Sequence, residues 1–396
     1  MPRLAEDIFL IAALRTPIGK FGGALSSLTA AQLGTESAKA TLDRSGIDPN
    51  AVDEVIFGNA RQAGVGPNVA RQIAIKSGLR HEVPAYTVNQ ACGSGLRAIM
   101  NAADQIRLGH VNVVLAGGTE SMSNTPYLLT RARWGMRMGD GEVIDGMVRD
   151  GFMCPLADEM MGSTAETLAD RYNISREEQD RFAVESQRKA GKAYEENRFA
   201  DEIAPVKVAG KKGETVIDRD EHPRFDASLG SMAKLEPVFR KNGTVHAGNS
   251  SGVTDGASSM LVASGSAVAK HKLKPMARII AYAQAGVDPK VMGIGPVPAT
   301  KKLLDETQFA LNDIDLIELN EAFAAQVIAC DRELHFDRDK LNVHGGAISL
   351  GHPIGCTGAR ITTTLLHALQ TRDKKLGLAT LCISGGMGLS MLVERV

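Results

Sequence analysis

Two cysteines and a histidine stand in glycine-rich settings where nucleophilic chemistry is possible. Cys92 lies between the apolar run 84–89 and a helix-like stretch opened by Gly93-Ser94-Gly95. A thiol there meets the positive end of a helix dipole and unpaired backbone N–H groups. Such placement lowers a thiol pKa from ~8.5 into the range ~3.5–7.5 and supplies donors for an acyl oxyanion. The spacing therefore predicts an acidified nucleophile, against the plainer reading of a small buried hydrophobe. His352, in Gly351-His352-Pro353-Ile354-Gly355, sits on a turn that the proline stiffens, and imidazole is the natural base for making a thiolate. Cys382 ends an apolar run ahead of Ser384-Gly385-Gly386, a setting that mirrors that of Cys92. A second thiol suits proton transfer at a weakly acidic carbon. Asn320, in Glu318-Leu319-Asn320-Glu321-Ala322-Phe323, ordinarily reads as a helix N-cap. Its amide is alternatively a donor to an oxyanion, directly or through water.

Two rival chemistries use the same residues. Gly93-x-Gly95-x-x-Ala98 matches a dinucleotide-binding fingerprint, and Glu120 follows the next strand-like run. Such a unit normally starts near the first strand, with its acid about 20 residues after the glycines, so a nicotinamide-dependent oxidoreductase is the minor reading. His352 and Cys356 have i, i+4 spacing, but Pro353 lies between them and no acidic or second histidine partner is arranged with them, so no metal site is expected. Cys154, Cys330 and Cys356 read as ordinary buried thiols.

Strand-like and helix-like segments alternate at both ends of the chain and must position these residues. Apolar, β-branched runs at 8–13, 54–58, 85–89 and 111–116 predict strands, and 30–45, 68–77 and 95–108 predict helices. Beyond 255 the alternation resumes, with strands expected at 259–264, 277–284, 316–319 and 376–383 and helices at 299–307, 322–334 and 358–370. Alternation of this kind implies an α/β layered fold. The ends also resemble each other. Gly93-Ser94-Gly95-Leu96-Arg97, a helix and Val113-Val114-Leu115-Ala116-Gly117-Gly118 have a second version in Cys356-Thr357-Gly358-Ala359-Arg360, a helix and Leu381-Cys382-Ile383-Ser384-Gly385-Gly386. A duplication would place two glycine-rich strand-to-helix turns where the halves meet. The middle, about 120 to 248, is more polar and reads as an insertion. It contains a charged helix over 175–196 with a capping box at Ser175–Glu178 and short strands near 203–208 and 215–218.

Composition bounds the function classes. At 396 residues and roughly 150 residues per domain, two or three domains are expected. The 45 Lys+Arg and 46 Asp+Glu leave a net charge of −1, which excludes a general nucleic-acid binder or polybasic membrane binder. No apolar run approaches the ~20 residues of a membrane helix. Neither a signal or transit peptide nor a peroxisomal C-terminus is recognised. Five cysteines without C-x-x-C pairing fit free thiols in a reducing cytoplasm.

Taken together and in order, Asn89-Gln90-Ala91-Cys92-Gly93-Ser94-Gly95, Asn320-Glu321-Ala322-Phe323, Gly351-His352-Pro353 and Cys382-x-x-Gly385-Gly386 resemble the motifs of the thiolase family. The resemblance runs from Arg15-Thr16-Pro17-Ile18-Gly19 to Gly388 and includes Ala247-Gly248-Asn249-Ser250-Ser251-Gly252 and Met292-Gly293-Ile294-Gly295-Pro296. It implies two βαβαβαββ halves in five layers. Residues 1–119 with 249–272 would form the first half, 120–248 an inserted loop domain and 273–396 the second half. It also implies coenzyme A thioester chemistry without a metal or redox cofactor, acyl-CoA thioesters and CoA being the partners, in a homodimer or homotetramer. By resemblance Cys92 takes the acyl group, His352 activates it, and Cys382 exchanges the α-proton. Asn320, through a water, and His352 would form one oxyanion hole, and the backbone N–H groups of Cys92 and Ser384 the other. Arg224 and Leu235 would hold the adenine end of CoA, Ser251 and Phe323 its pantetheine.

The activity so implied interconverts two acetyl-CoA with acetoacetyl-CoA and CoA. Two departures bear on it. Ser384 stands where the family usually has glycine, which would cost strain if the turn needs φ > 0. Met160 stands where the acetoacetyl-specific branch carries histidine, and Gly355-Cys356-Thr357-Gly358 looks more like degradative 3-ketoacyl-CoA thiolases. A longer-chain thiolase is therefore the alternative. A non-catalytic CoA-binding scaffold, favoured only by Ser384, is a remote one.

Overall fold

The computed structural model describes residues 7–210 and 213–396. The first half contributes strands β1 (Ile8–Arg15), β2 (Glu54–Gly58), β3 (Ala85–Val88), β4 (Val113–Ser121) and β5 (Thr254–Ser264). Its helices are α1 (Ala30–Ser45), α2 (Val69–Lys76) and α3 (Ser94–Arg107). The insertion between β4 and β5 carries α4 (Met161–Arg171) and α5 (Arg176–Glu195). The second half supplies β6 (Pro275–Gly286), α6 (Pro296–Thr307), β7 (Leu316–Leu319), α7 (Ala324–Leu334), α8 (Thr357–Thr371), β8 (Leu376–Ile383) and β9 (Met387–Arg395).

The two halves share one strand order. The first runs β3-β2-β4-β5-β1 and the second β7-β8-β9-β6. A lone parallel bridge from Leu341 to Ile317 stands where β3 has its counterpart. Antiparallel pairing of Phe9 and Leu10 with Arg278 and Ala277 joins β1 to β6 and merges both half-sheets. Helices α1 and α2 cover the outer face of the first half-sheet, α6 and α7 that of the second, and α3 and α8 lie between them. Each helix layer has its own apolar core, because each sheet face must be covered by an apolar helix stripe. This is the duplicated five-layer α/β fold expected.

The boundaries moved at predictable places. Helix α1 and strands β2, β7 and β8 match the expected spans. β4 runs on to Ser121 and β5 starts already at Thr254, because the two pair residue for residue from Val113–Ala263 to Ser121–Asp255. That register recruits polar residues such as Thr119 and Ser258, which carry no strand signal of their own. β9 and α4 were not anticipated. The charged helix is α5, and Ser175 accepts from the Glu178 N–H. In the second half, β8 turns directly into β9 through Ser384-Gly385-Gly386; in the first, the equivalent connection is the whole stretch 122–253.

The glycines of the duplicated motif occupy the junction. A Cβ on Gly95 would lie 2.7 Å from the Ala359 nitrogen, and one on Gly358 would lie 2.7 Å from Leu96 Cβ. Helices α3 and α8 thus touch backbone to backbone at their N-termini, which only glycine permits. Cys92 and His352, just upstream of these helices, are thereby brought to one place.

Candidate active site

One cavity of about 70 Å³ is lined by Cys92, His352, Cys382, Ser384, Ser251 and Phe323, together with Arg61, Phe152, Met161 and Met292. Six of the residues singled out in the sequence therefore converge. Asn320, Arg224 and Leu235 do not line it.

Cys92 sits on a strained loop between β3 and α3. Ala91 has φ +46°, a conformation uncommon without glycine. The loop is pinned by Ser94, whose Oγ accepts from Gln90 N at 2.9 Å and donates to Ala91 O at 2.7 Å. The Asn89 side chain accepts from Ala91 N at 3.0 Å. The expected acidification does not result. Burial pushes the Cys92 thiol above its ordinary value, outweighing the Ser384 N–H, the Arg61 charge and its own N–H, while Glu120 pushes it further up. The helix terminus is present, but a desolvated sulfur disfavours the anion more than the dipole favours it.

His352 follows Gly351, whose φ is +106° and where a Cβ would fall 2.5 Å from Thr254 Cγ2. Its Nδ1 lies 2.6 Å from Thr357 Oγ1, which in turn lies 3.0 Å from Pro353 O. With the threonine hydrogen on Pro353 O, Oγ1 accepts from Nδ1–H and Nε2 keeps its lone pair. Burial, with the Arg360 and Arg61 charges, lowers the imidazole pKa to about 3, so the ring is a neutral base.

Cys382 is buried at the end of β8, opposite Gly388 on β9, among Met292, Ala322, Met161 and Phe323. Burial and the neighbouring Cys92 raise its thiol well above the ordinary value. Ser384 carries no strain, since the positive φ values fall on Gly385 (+85°) and Gly386 (+86°). Its N–H bonds to Cys92, so the backbone donor survives the replacement of glycine. That removes the feature which favoured a non-catalytic scaffold.

Asn320 is not a helix cap. Phe323 is the N-cap of α7, and Asn320 lies earlier, at the end of β7, with its backbone N–H on Thr380 O at 3.0 Å. Its side-chain amide is fully buried with neither the oxygen nor the nitrogen bonded within the protein. A buried amide of this kind calls for a water or ligand partner. Ser251 donates its N–H to Ala322 O at 3.0 Å, and Ser250 bridges to Phe323, which tie the 249–252 segment to α7. Arg224 is exposed, held through its backbone N–H to Gln187 Oε1 at 2.8 Å. Leu235 is partly buried beside Gly248. Both lie outside the cavity.

Several site residues escaped the sequence reading. Glu120 is not a ribose ligand. Its carboxylate is buried and accepts from Asn59 Nδ2 (2.7 Å), Ala60 N (3.1 Å), Arg61 N (3.1 Å) and Gly355 N (2.8 Å). It thus ties the histidine-bearing turn to the loop after β2, which overturns the dinucleotide reading. Thr357 and Arg61 were also missed. Thr357 had appeared only within a motif, and nothing near Arg61 in the chain marks it, since its neighbours in the cavity come from far away. Among the described residues no helix is long and apolar enough to cross a membrane, and all five cysteines are free.

Two family models match the chain: a thiolase N-terminal domain over residues 8–266 and a thiolase C-terminal domain over 273–395. An acetyl-CoA acetyltransferase of Escherichia coli (strain K12) is 51% identical over 392 residues, 99% of this chain and all of that one. Among solved structures, the Bacillus anthracis acetyl-CoA acetyltransferase aligns with a TM-score of 0.97 at 45% identity over 99% of both chains. Human mitochondrial 3-ketoacyl-CoA thiolase in complex with CoA aligns with a TM-score of 0.96 at 42% identity, again over 99% of both.

Proposed function

The chain belongs to the thiolase family, and from that premise we propose that it interconverts two acetyl-CoA with acetoacetyl-CoA and CoA through an acyl group carried on Cys92. It is an acyltransferase. The observation that carries the reading is the single small cavity shared by two thiols and a neutral imidazole. Cys92 Sγ attacks the thioester carbonyl while His352 Nε2 takes the thiol proton. The N–H groups of Cys92 and Ser384 hold the oxyanion, and the thiolate of CoA leaves with the proton of the Cys382 thiol, which makes Cys382 a thiolate. Cys382 then removes an α-proton from a second acetyl-CoA. His352, and Asn320 through a water, hold the enolate oxygen while its carbon attacks the acyl-cysteine; the Cys92 C–S bond breaks, and the departing Cys92 thiolate recovers its proton from His352. The unbonded Asn320 amide supports that role. Fixed donors in a water-poor site are effective because they need no reorganisation as charge develops.

Ser251 and Phe323 would run along the pantetheine, with Arg224 and Leu235 at the adenine end. CoA is substrate and product, and no resident cofactor is invoked. Residues 1–119 with 249–272, 120–248, and 273–396 serve as first half, loop domain and second half. A homodimer or homotetramer is supported by an apolar surface on the loop domain, where Trp134 is 84% and Met138 fully exposed; such patches normally mark contacts. Five free thiols support a cytoplasmic setting.

The test is CoA-dependent thiolysis of acetoacetyl-CoA beside a medium-chain 3-ketoacyl-CoA, with mass spectrometry of the protein. Preference for acetoacetyl-CoA with one acyl group on Cys92 is the expected result. Preference for the longer thioester would move the chain to the longer-chain reading. Cys92→Ala should accept no acyl group, and an acylated variant refutes the nucleophile. Cys382→Ala should acylate yet form no carbon–carbon bond.

A further inference from the structure

His222 grips the turn that carries His352 from both sides. Just ahead of His352 the chain forms a one-turn helix, Ala347–Leu350, whose last carbonyls find few partners within so short a helix. Those of Ile348 and Ser349 are satisfied from the insertion between β4 and β5. Gln187 Nε2 on α5 donates to Ile348 O at 3.2 Å, and His222 Nδ1 donates to Ser349 O at 2.9 Å. A carbonyl only accepts, so Nδ1 carries a hydrogen. The opposite edge of the ring, at Nε2, packs against Gly252, where any Cβ would collide with it. Gly252 O in turn accepts the His352 N–H at 3.3 Å. One imidazole therefore touches both the helix that precedes His352 and the residue that holds its backbone. Between them Gly351 has φ +106°, a region open to glycine, so the turn takes its shape from what surrounds it.

The grip is itself anchored. Asp220, two residues before His222, accepts from Arg15 Nη1 (2.7 Å), Ile18 N (2.7 Å) and the Tyr194 hydroxyl (2.6 Å). Two residues after it, the Arg224 N–H donates to Gln187 Oε1 at 2.8 Å. Burial lowers the His222 pKa below its ordinary value, against the pull of the Ser349 bond, so the ring is a neutral donor. His222 does not line the acyl cavity, and its route to the reaction runs through His352.

We propose that His222 is a positioning residue for the base of the reaction, its Nδ1–H and ring edge fixing the 349–352 turn so that His352 presents Nε2 to Cys92. This rests on the Cys92–His352 chemistry proposed above. Thr357 fixes the plane of the His352 ring, and His222 fixes the backbone from which that ring hangs. The insertion thus supplies a part of the active site that neither half of the fold contains. Because Arg224 lies on the same segment, a disturbance confined to CoA holding would be read in KM, whereas a misplaced base is read in kcat.

The experiment compares wild type, His222→Phe and His222→Asn in thiolysis of the 3-oxoacyl-CoA that the wild type cleaves fastest, with hydrogen–deuterium exchange over residues 346–356. Phenylalanine keeps a ring against Gly252 without the donor, and asparagine keeps an N–H donor near the place of Nδ1. His222→Phe should lower kcat by roughly 10- to 100-fold with KM for CoA within about twofold. Its 346–356 amides should exchange faster while the rest of the chain is unchanged. His222→Asn should keep kcat within about threefold of wild type, and it carries the test if the phenylalanine variant does not fold. A raised KM with unchanged kcat in His222→Phe overturns the inference and makes His222 part of the CoA-holding segment. So does a phenylalanine variant that turns over like wild type, whatever its exchange, or an asparagine variant tenfold or more slower than wild type. Each of these leaves the proposed function intact. A wild type that cleaves no 3-oxoacyl-CoA overturns both.

Discussion

His352 Nδ1 and Thr357 Oγ1 lie 2.6 Å apart across the turn that leads into α8. The threonine hydroxyl also reaches Pro353 O, in the i to i−4 manner of helix threonines. One hydroxyl therefore fixes the ring plane and leaves Nε2 for the cavity. Thr357→Val keeps the shape but removes the acceptor, and it should lower kcat for thiolysis by roughly 10- to 100-fold with little change in KM. Thr357→Ser should restore most of it. If valine turns over like wild type, the contact does not position the base.

The reactivity of Cys92 should rise with pH. Burial raises the thiol pKa above its ordinary value and leaves His352 neutral down to about 3, so no thiolate–imidazolium pair exists at rest. Alkylation of Cys92 by iodoacetamide, followed by mass spectrometry, should accelerate steadily from pH 6 to 9 without a plateau. A flat rate from about pH 6 upward would mean that the thiolate is already formed.

Ser384→Gly should be close to silent. The residue does not occupy the left-handed region, and its contribution is an N–H that glycine also has. Thiolysis kcat/KM is expected within about threefold of wild type, glycine costing about 0.5–1 kcal/mol in chain freedom. A loss beyond tenfold would show that the serine side chain takes part.

Glu120→Ala should destabilise strongly and inactivate. Three backbone N–H groups and the Asn59 amide would lose a buried acceptor, at a cost of roughly 3–5 kcal/mol. Urea unfolding measures it. A loss under about 1 kcal/mol would mean that water replaces the carboxylate and that the tie between the halves is dispensable.

Much of this protein was legible along the chain. Apolar periodicity and glycine punctuation are local properties, so α1, β2, β7 and β8 matched their expected spans, and Cys92, His352 and Cys382 stood out by their immediate neighbours. The repeated Gly95 and Gly358 motifs even indicated where the halves would meet. β9 was missed because it follows β8 after only three residues, so the two read as one apolar stretch with a glycine-rich interruption.

What the tertiary structure alone decided was the electrostatics and the partners. Cys92 looked acidified because a helix terminus is visible in sequence, whereas desolvation depends on atoms from β8, the 150–152 segment and the 351–355 turn. Asn320 looked like a cap because it precedes a helix, yet the chain runs three residues further before α7 begins. Glu120 resembled a ribose ligand until its oxygens were found on Gly355 N, 235 residues away. A sequence specifies which groups can donate, accept or ionise. Their pKa values and bonds are set by burial and distance, and those exist only once the two halves have closed on each other.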